Sequence, residues 1–488
     1  MSYFDLFKAL IPEAIITGIA LCLLAVDLAA LRPQSMSVRL RWCGGMAILG
    51  CASAIGWMLL QPAQLQAGML AIGPLTQWIK LSLLILTAFI AVISFSARFT
   101  VHVGEYFALL LFATVGLMLL VSADNFLLIF LALELLSISL YALTAFHKNR
   151  LASAEAALKY YLFGSVAAAF TLFGISLLYG VTGEIQLSGI NAHLSAGHQE
   201  PIFYIALVMT LAGFAFKLAA APFHFWAPDV YEGAPTPIAA YIASASKVGS
   251  FFVVARILWT AFPGARGGAS APGWMPVLVV LAVISMTLGN LAALMQRKVS
   301  RLLAYSAVAH GAYAVLALLA APQQGLPSLL FYVITYALTA LGAFAVVGVI
   351  EASGGRAELK DFAGFSRRAP LLAFCLLVFM LSLAGIPPLA GFFGKFYVFT
   401  AAAEATPRLS LLWLVILAVA TSAVSLYYYL QILKQVYAAA PLEHLVWSPP
   451  ARSSQWAIVL LAGTIIVLGC FPSLLLTRIA AVLSAHPF

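Results

Sequence analysis

Charge is what this chain has least of. Its 488 residues hold 25 Lys or Arg and 16 Asp or Glu, 8% of the total, where a soluble domain carries roughly 25%. A water-soluble globule is therefore excluded: 64% of the residues are hydrophobic and the mean hydropathy is +1.05, more apolar surface than one aqueous core can hide. The net charge of +9 is spread thinly, which argues against a nucleic-acid binder and against disorder. Cysteine is also scarce. Cys22, Cys43, Cys51, Cys375 and Cys470 lie in apolar stretches without a CxxC pair and read as buried packing residues. His193 and His198, beside Asn191 and Gly197, read as a solvated loop with no metal role. Also missing are a strand-linked GxGxxG, a Walker sequence, an iron–sulfur cysteine cluster and a Ser/His/Asp arrangement outside loops. Redox and nucleotide chemistry, if required, must come from elsewhere.

What is present is long apolar runs. A hydrocarbon core about 30 Å thick needs around 20 apolar residues in a helix. Fourteen such segments occur, near 10–31, 40–61, 73–95, 104–122, 124–145, 156–181, 201–222, 236–262, 274–295, 300–320, 326–350, 370–402, 409–438 and 454–477. The runs do not alternate, which excludes transmembrane β-strands. The twelfth is long enough for two half-helices. The start, with Asp5 and Glu13 around its apolar onset, reads as a retained span and not a signal peptide.

The basic residues orient the bundle, because Lys and Arg accumulate on cytoplasmic loops. With the N-terminus outside, the loops after odd-numbered spans collect fifteen of the 25, from Arg32 to Arg452. The other side holds only Lys8, Arg266, Arg408 and Arg478, so both termini are expected outside. Lys80, Lys159, Lys217, Lys247, Arg256 and Lys395 remain, all within spans. A Lys or Arg at a helix centre costs about 2.5–3.5 kcal/mol on insertion scales and usually lines a polar interior. Lys80 and Arg256 lie near outer ends and are expected to snorkel, and Lys159 is near an inner end. Lys217, Lys247, Lys395 and, in the fifth span, Glu134 are deeper.

Helix breakers accompany two of these lysines. In KLAAAPFHFWAPDVYEGAPTP, Pro222 offers no N–H and leaves the Leu218 carbonyl unpaired, one residue from Lys217. In LAGIPPLAGFFGKF, Pro387 and Pro388 with Gly385, Gly391 and Gly394 precede Lys395. Aligning Pro222 with Pro387 carries spans 4–8 roughly onto spans 9–13. Five is odd, so the second copy enters the membrane from the opposite side, the inverted-repeat pattern of transporters. The chemistry left is proton movement. Burial disfavours an ammonium and a carboxylate nearby favours it, so moving Glu134 relative to Lys217 would make that lysine hold or release a proton. His224 lies seven residues beyond Lys217 and would share its face on an unbroken helix; it reads either as a relay imidazole or as a packing residue among Phe223, Phe225 and Trp226.

LALELLSISLYAL around Glu134, AEAALKYYLFGSVAAAFTLFGISLLYG around Lys159, the Lys217 segment above, ASASKVGSF around Lys247, and LSLAGIPPLAGFFGKFYVF occur in order along the chain. Together they resemble subunit N of bacterial NADH-quinone oxidoreductase, respiratory complex I. The resemblance implies an all-α membrane protein of fourteen helices, with two inverted five-helix repeats and discontinuous helices 7, 8 and 12. It divides the chain into helices 1–3 (residues 1–103), a first repeat (104–262), a second repeat (274–440) and a last helix (454–488). It implies Glu134 and Lys217 as an input pair, Lys247 as central connector, Lys395 as output residue and Lys159 as an accessory charge. It implies no cofactor or metal in this chain, with NAD, FMN, iron–sulfur clusters and quinone in partner subunits. Membrane subunits on both flanks, a lipid bilayer, no nucleic acid, and a bacterial inner membrane with periplasmic termini complete the expectation. The short chain beyond the last span favours the N or M type over L, and Lys at 395, where the M-type subunit has Glu, with the wording around YYLFGS and YEGAP, leans to N. A cation/proton antiporter subunit and a structural membrane scaffold are the alternatives.

Overall fold

The computed structural model describes residues 7–61, 65–97, 99–195, 201–268, 272–406, 409–441 and 448–485. Among them, thirteen helices are long and apolar enough to cross a membrane, and a split helix makes a fourteenth crossing. In chain order these are α1 (Ile11–Leu31), α2 (Met36–Leu60), α3 (Pro74–Ser96), α4 (Val103–Ser122), α5 (Phe126–Thr144) and α6 (Leu151–Thr182). The broken α7 (Pro201–Leu218, then Trp226–Gly233) follows, then α8 (Thr236–Ala261), α9 (Trp274–Leu294), α10 (Val299–Leu318) and α11 (Pro322–Ala352). The broken α12 (Pro370–Ala384, then Ala390–Ala403), α13 (Leu412–Ala438) and α14 (Arg452–Cys470) complete the bundle.

The ends of these helices have local causes. Proline occupies the first turn of α1, α3, α11 and α12, where its missing N–H costs nothing. Asn125 caps α5, its side-chain oxygen accepting from the Leu128 N–H at 2.7 Å. Where 454–477 was expected as one span, α14 stops at Cys470 because Pro472 cannot continue it, and Ser473–Ala485 forms a separate helix. The only strands among the described residues are a hairpin, β1 (Leu65–Ala67) and β2 (Leu70–Ile72), turning at Gly68 with φ 63°. The expected polar loop around His193 is a short helix, Leu187–Ser195, and His198 lies outside the described residues.

Burial divides the bundle into layers. α8, α10 and α11 are enclosed on nearly all sides, whereas α1 and α6 leave most of their surface outward. α11 packs against α8, α10, both halves of α12 and α14 and is the central post. Cys43, Cys51 and Cys375 are buried as expected, but Cys22 and Cys470 are exposed on the outer surface of the bundle.

The inverted repeat is visible in close helix packing. A Cβ on Gly116 of α4 would stand 2.8 Å from the Leu136 nitrogen and 3.1 Å from the Ala132 oxygen of α5. A Cβ on Gly289 of α9 would stand 2.8 Å from the Ala309 nitrogen and 3.0 Å from the Tyr305 oxygen of α10. The separations of 116 from 289, 132 from 305 and 136 from 309 are identical, 173 residues. Both pairs therefore pack backbone to backbone through a glycine, as small-residue interfaces do in lipid.

Two of the charged residues differ from expectation. Lys80 does not snorkel: it is 1% exposed and its Nζ lies 2.6 Å from Glu13 of α1. Arg256 is likewise buried, donating to Asp124 at 3.2 Å and to the Val121 carbonyl at 3.1 Å. Both sit inside the bundle because a carboxylate accompanies them; Arg39 and Asp27, joined at 2.5 Å, make a third such pair. Replacing Gly289 with Val should drive α9 from α10 and cost about 1–3 kcal/mol. Thermal unfolding followed by size-exclusion chromatography checks this, and a melting temperature equal to the parent's contradicts it.

Candidate functional site

The two helix breaks share one construction. The first half of α7 ends at Leu218, Ala219 adopts the left-handed conformation (φ 57°), and the Ala220 N–H reaches back to the Ala215 carbonyl at 2.8 Å. The first half of α12 ends at Ala384, Gly385 is left-handed (φ 85°), and the Ile386 N–H reaches back to the Leu381 carbonyl at 3.0 Å. These are helix C-caps of the same type, placed at the same point of each repeat. Glycine takes that conformation without cost, whereas alanine at 219 is strained. The Ala221 N–H is held by Ser285 Oγ of α9 at 2.7 Å, which pins the first break to the second repeat.

A helix end leaves carbonyls without partners inside its own helix, and the buried lysines occupy them. Lys247 Nζ donates to the Leu218 carbonyl at 2.8 Å and to the Ala307 carbonyl of α10 at 3.1 Å. Lys395 Nζ donates to the Leu383 carbonyl at 2.9 Å, to the Ala384 carbonyl at 3.0 Å and to Ser422 Oγ of α13 at 2.7 Å. Leu218 and Ala384 are the last helical residues before each break, so equivalent carbonyls receive the two ammonium groups. Lys247 lies one turn past a third discontinuity, at Ser244 (φ −115°, ψ −88°), which splits α8 after Ala243. Gly311 opposite lacks the Cβ that would stand 3.3 Å from the Leu218 oxygen and 3.5 Å from Lys247 Nζ.

Lys217 is held differently. Its Nζ donates to Ser137 Oγ of α5 at 3.2 Å. Glu134, one turn earlier on α5, joins both residues in lining a cavity of about 30 Å³. No ion pair closes between Glu134 and Lys217; the cavity has room for water, which needs roughly 10–15 Å³. The chain then runs directly from Lys217 to Leu218, whose carbonyl holds Lys247.

Between Lys247 and Lys395 stands His310 of α10, 4% exposed. Its Nδ1 lies 2.7 Å from the Tyr332 hydroxyl and its Nε2 3.2 Å from the Tyr429 hydroxyl, while Lys395 Nζ sits 5.5 Å from the centre of the Tyr313 ring. Sequence reasoning missed His310. The signal was available: it is a lone imidazole midway along an apolar run, subject to the same argument that singled out the lysines.

The other two candidates stand apart from this line. Lys159 is partly exposed at an end of α6, paired with Glu155 at 2.6 Å and Asp229 at 2.8 Å. Arg301 adds contacts to Asp229 at 2.5 Å and Glu232 at 2.9 Å, and Lys298 also engages Glu232. This network ties α6 and the second half of α7 to α10. His224 falls within the break, so it does not share a helical face with Lys217; its ring is 6% exposed and packs 4.7 Å from Phe225 and 6.3 Å from Tyr305. Among the described residues no cluster of His, Cys, Asp or Glu could hold a metal ion.

Paired broken helices, inverted repeats and ammonium groups capped by freed carbonyls define an antiporter-like membrane subunit. A family profile described as "NADH:quinone oxidoreductase/Mrp antiporter, TM" matches residues 123–425. NADH-quinone oxidoreductase subunit N 2 of Acidobacterium capsulatum is 48% identical over 98% of this chain and 99% of its own. Subunit N of Trichlorobacter lovleyi is 36% identical over 96% and 95%. A chain of respiratory complex I from Thermus thermophilus superposes with a TM-score of 0.80 at 36% identity, covering 96% of this chain and 99% of that one. A chain of the Mrp complex from Dietzia shares the fold alone, with a TM-score of 0.82 at 19% identity. The chain belongs to the subunit N family of NADH-quinone oxidoreductase.

Gly385→Ala should push on Lys395, since the new Cβ would stand 3.0 Å from its Cδ and 3.3 Å from its Nζ. Gly354, also left-handed (φ 90°) but with nothing within 4 Å, is the control. Turnover of the assembled protein is expected to fall several-fold more in Gly385→Ala than in Gly354→Ala. Equal effects would show that only backbone strain matters.

Proposed function

We propose that this chain moves protons across a bacterial inner membrane as part of a multi-subunit NADH-quinone oxidoreductase. The observation that carries the reading is the capping of Lys247 and Lys395 by the equivalent carbonyls of two broken helices. An ammonium so held can give up its proton while the backbone groups remain in place, and can take one again without moving a counter-charge. Glu134 and Lys217 act as the input pair, Lys247 as connector and Lys395 as output. His310, with Tyr332 and Tyr429, joins connector to output. Lys159 acts as an accessory charge at the surface network, and His224 as a proton-bearing group at the break.

Energy comes from outside the chain. Each charge moved against the potential costs about 2.3 kcal/mol per 100 mV, and the sequence carries no nucleotide-binding or iron–sulfur motif to supply it. NADH oxidation and quinone reduction, with the NAD, FMN, iron–sulfur and quinone chemistry they require, are assigned to partner subunits, and further membrane subunits cover both flanks. The excess of Lys and Arg after odd-numbered helices supports periplasmic termini. The unit boundaries that go with this reading are residues 1–103, 104–262, 274–440 and 454–488.

Proton pumping in inverted membrane vesicles tests the proposal. An assembled complex carrying Lys217→Ala and Lys247→Ala is expected to lose most NADH-driven pumping and a large part of its quinone reductase turnover. Pumping at the parent's rate by that assembled variant would refute the proton-path reading.

A further inference from the structure

A cavity of about 600 Å³ lies away from the buried lysines. It opens among α3, α8, α11 and α14 on the arginine-rich side of the bundle, and its size is within the roughly 300–1,000 Å³ typical of ligand pockets. Most of its wall is apolar, with Ile93, Val349 and Ile458 among the lining residues. Three charged groups of the wall are already engaged: Lys298 holds Glu232, which Arg301 also contacts from outside the cavity, and Glu351 accepts from the Thr236 hydroxyl. Arg150 and Arg356 are different. Both line the cavity, and among the described residues neither guanidinium is closed into a hydrogen bond or ion pair; the Glu351 carboxylate on the same wall acts on Arg150 only through space.

Two guanidinium groups whose N–H donors are not taken up, beside an apolar slot between membrane helices, present the recognition chemistry of an anionic amphiphile. Arginine binds phosphate oxygens through two parallel N–H donors, and basic pockets between transmembrane helices hold acidic lipid headgroups. A free inorganic anion would use the arginines and leave the apolar wall empty. An acyl chain uses both. We propose that this cavity is a binding site for an anionic phospholipid, with its phosphate between Arg150 and Arg356 and an acyl chain against the walls of α3, α11 and α14. The lipid would bridge the loop after α5 to the end of α11, and so join the first repeat to the second on the face opposite the Lys395 output.

The test uses the whole complex, purified in mild detergent and washed free of loosely held lipid. Phosphatidylglycerol, phosphatidylcholine and inorganic phosphate are added separately, and retention is read by native mass spectrometry and by bound phosphorus. Parent complex is expected to retain phosphatidylglycerol about tenfold more tightly than an Arg150→Gln, Arg356→Gln variant, a factor that corresponds to about 1.4 kcal/mol. Arg150→Lys with Arg356→Lys should keep most of the binding. Gly348→Leu, which grows into the cavity from a site whose nearest neighbour is the Thr236 Cγ2 at 3.4 Å, should lose the lipid with both arginines intact. Equal retention by parent and double Gln variant would overturn the proposal. So would inorganic phosphate competing as well as the lipid, or phosphatidylcholine binding as tightly as phosphatidylglycerol.

Discussion

A carbonyl that a helix can no longer satisfy is the constraint on which this structure turns. In a bilayer every backbone polar group must find a partner within the protein, and a lysine placed mid-membrane carries its own penalty of about 2.5–3.5 kcal/mol. Each problem answers the other. Leu218, Leu383 and Ala384 lose their helical donors at the breaks, and Lys247 and Lys395 supply them. A hydrogen bond to a charged group contributes about 1.5–3 kcal/mol, so the two or three bonds at each ammonium are enough to offset its insertion cost.

The remaining architecture keeps those groups in register. Broken helices are held from outside by Ser285 at one break and by the enclosing α11 and α13 at the other. Glycines bring α4 to α5 and α9 to α10 at equivalent points, which sets the same helix spacing in the two repeats. Charged residues not on the interior line have a different task. Lys80 with Glu13, Arg39 with Asp27, and Arg256 with Asp124 are closed ion pairs that lock helices together. Lys217, Lys247 and Lys395 lack such direct carboxylate partners and bond instead to hydroxyl and carbonyl oxygens, the distinction on which the proposed proton path rests.

Much of this was legible in the sequence because lipid makes hydropathy decisive. All fourteen crossings, the breaks at Pro222 and at Pro387 and Pro388, and the freed Leu218 carbonyl follow from run length and from proline's missing N–H. What that carbonyl would bind was not legible, since Lys247 comes from another helix whose approach depends on Gly311 and the packing of α10. Lys80 and Arg256 were misread because a residue's depth can be counted along one helix, but a partner such as Glu13 or Asp124 comes from elsewhere in the fold. The shared face of His224 and Lys217 was conditional on an unbroken helix, and the break at Pro222 removes that condition, leaving His224 in the connecting turn. His310 was readable by the depth argument that singled out the lysines, as a lone imidazole midway along the 300–320 run.

An electron cryomicroscopy map of the assembled complex, sharp enough to show carbonyl bulges and ordered water, tests the central claim most directly. The account predicts that Lys247 Nζ lies within hydrogen-bond distance of the Leu218 carbonyl and Lys395 Nζ within that distance of the Leu383 and Ala384 carbonyls, with ordered water near His310 linking the two. Continuous α7 and α12, with those three carbonyls bonded inside their own helices and a dry gap around His310, would contradict it.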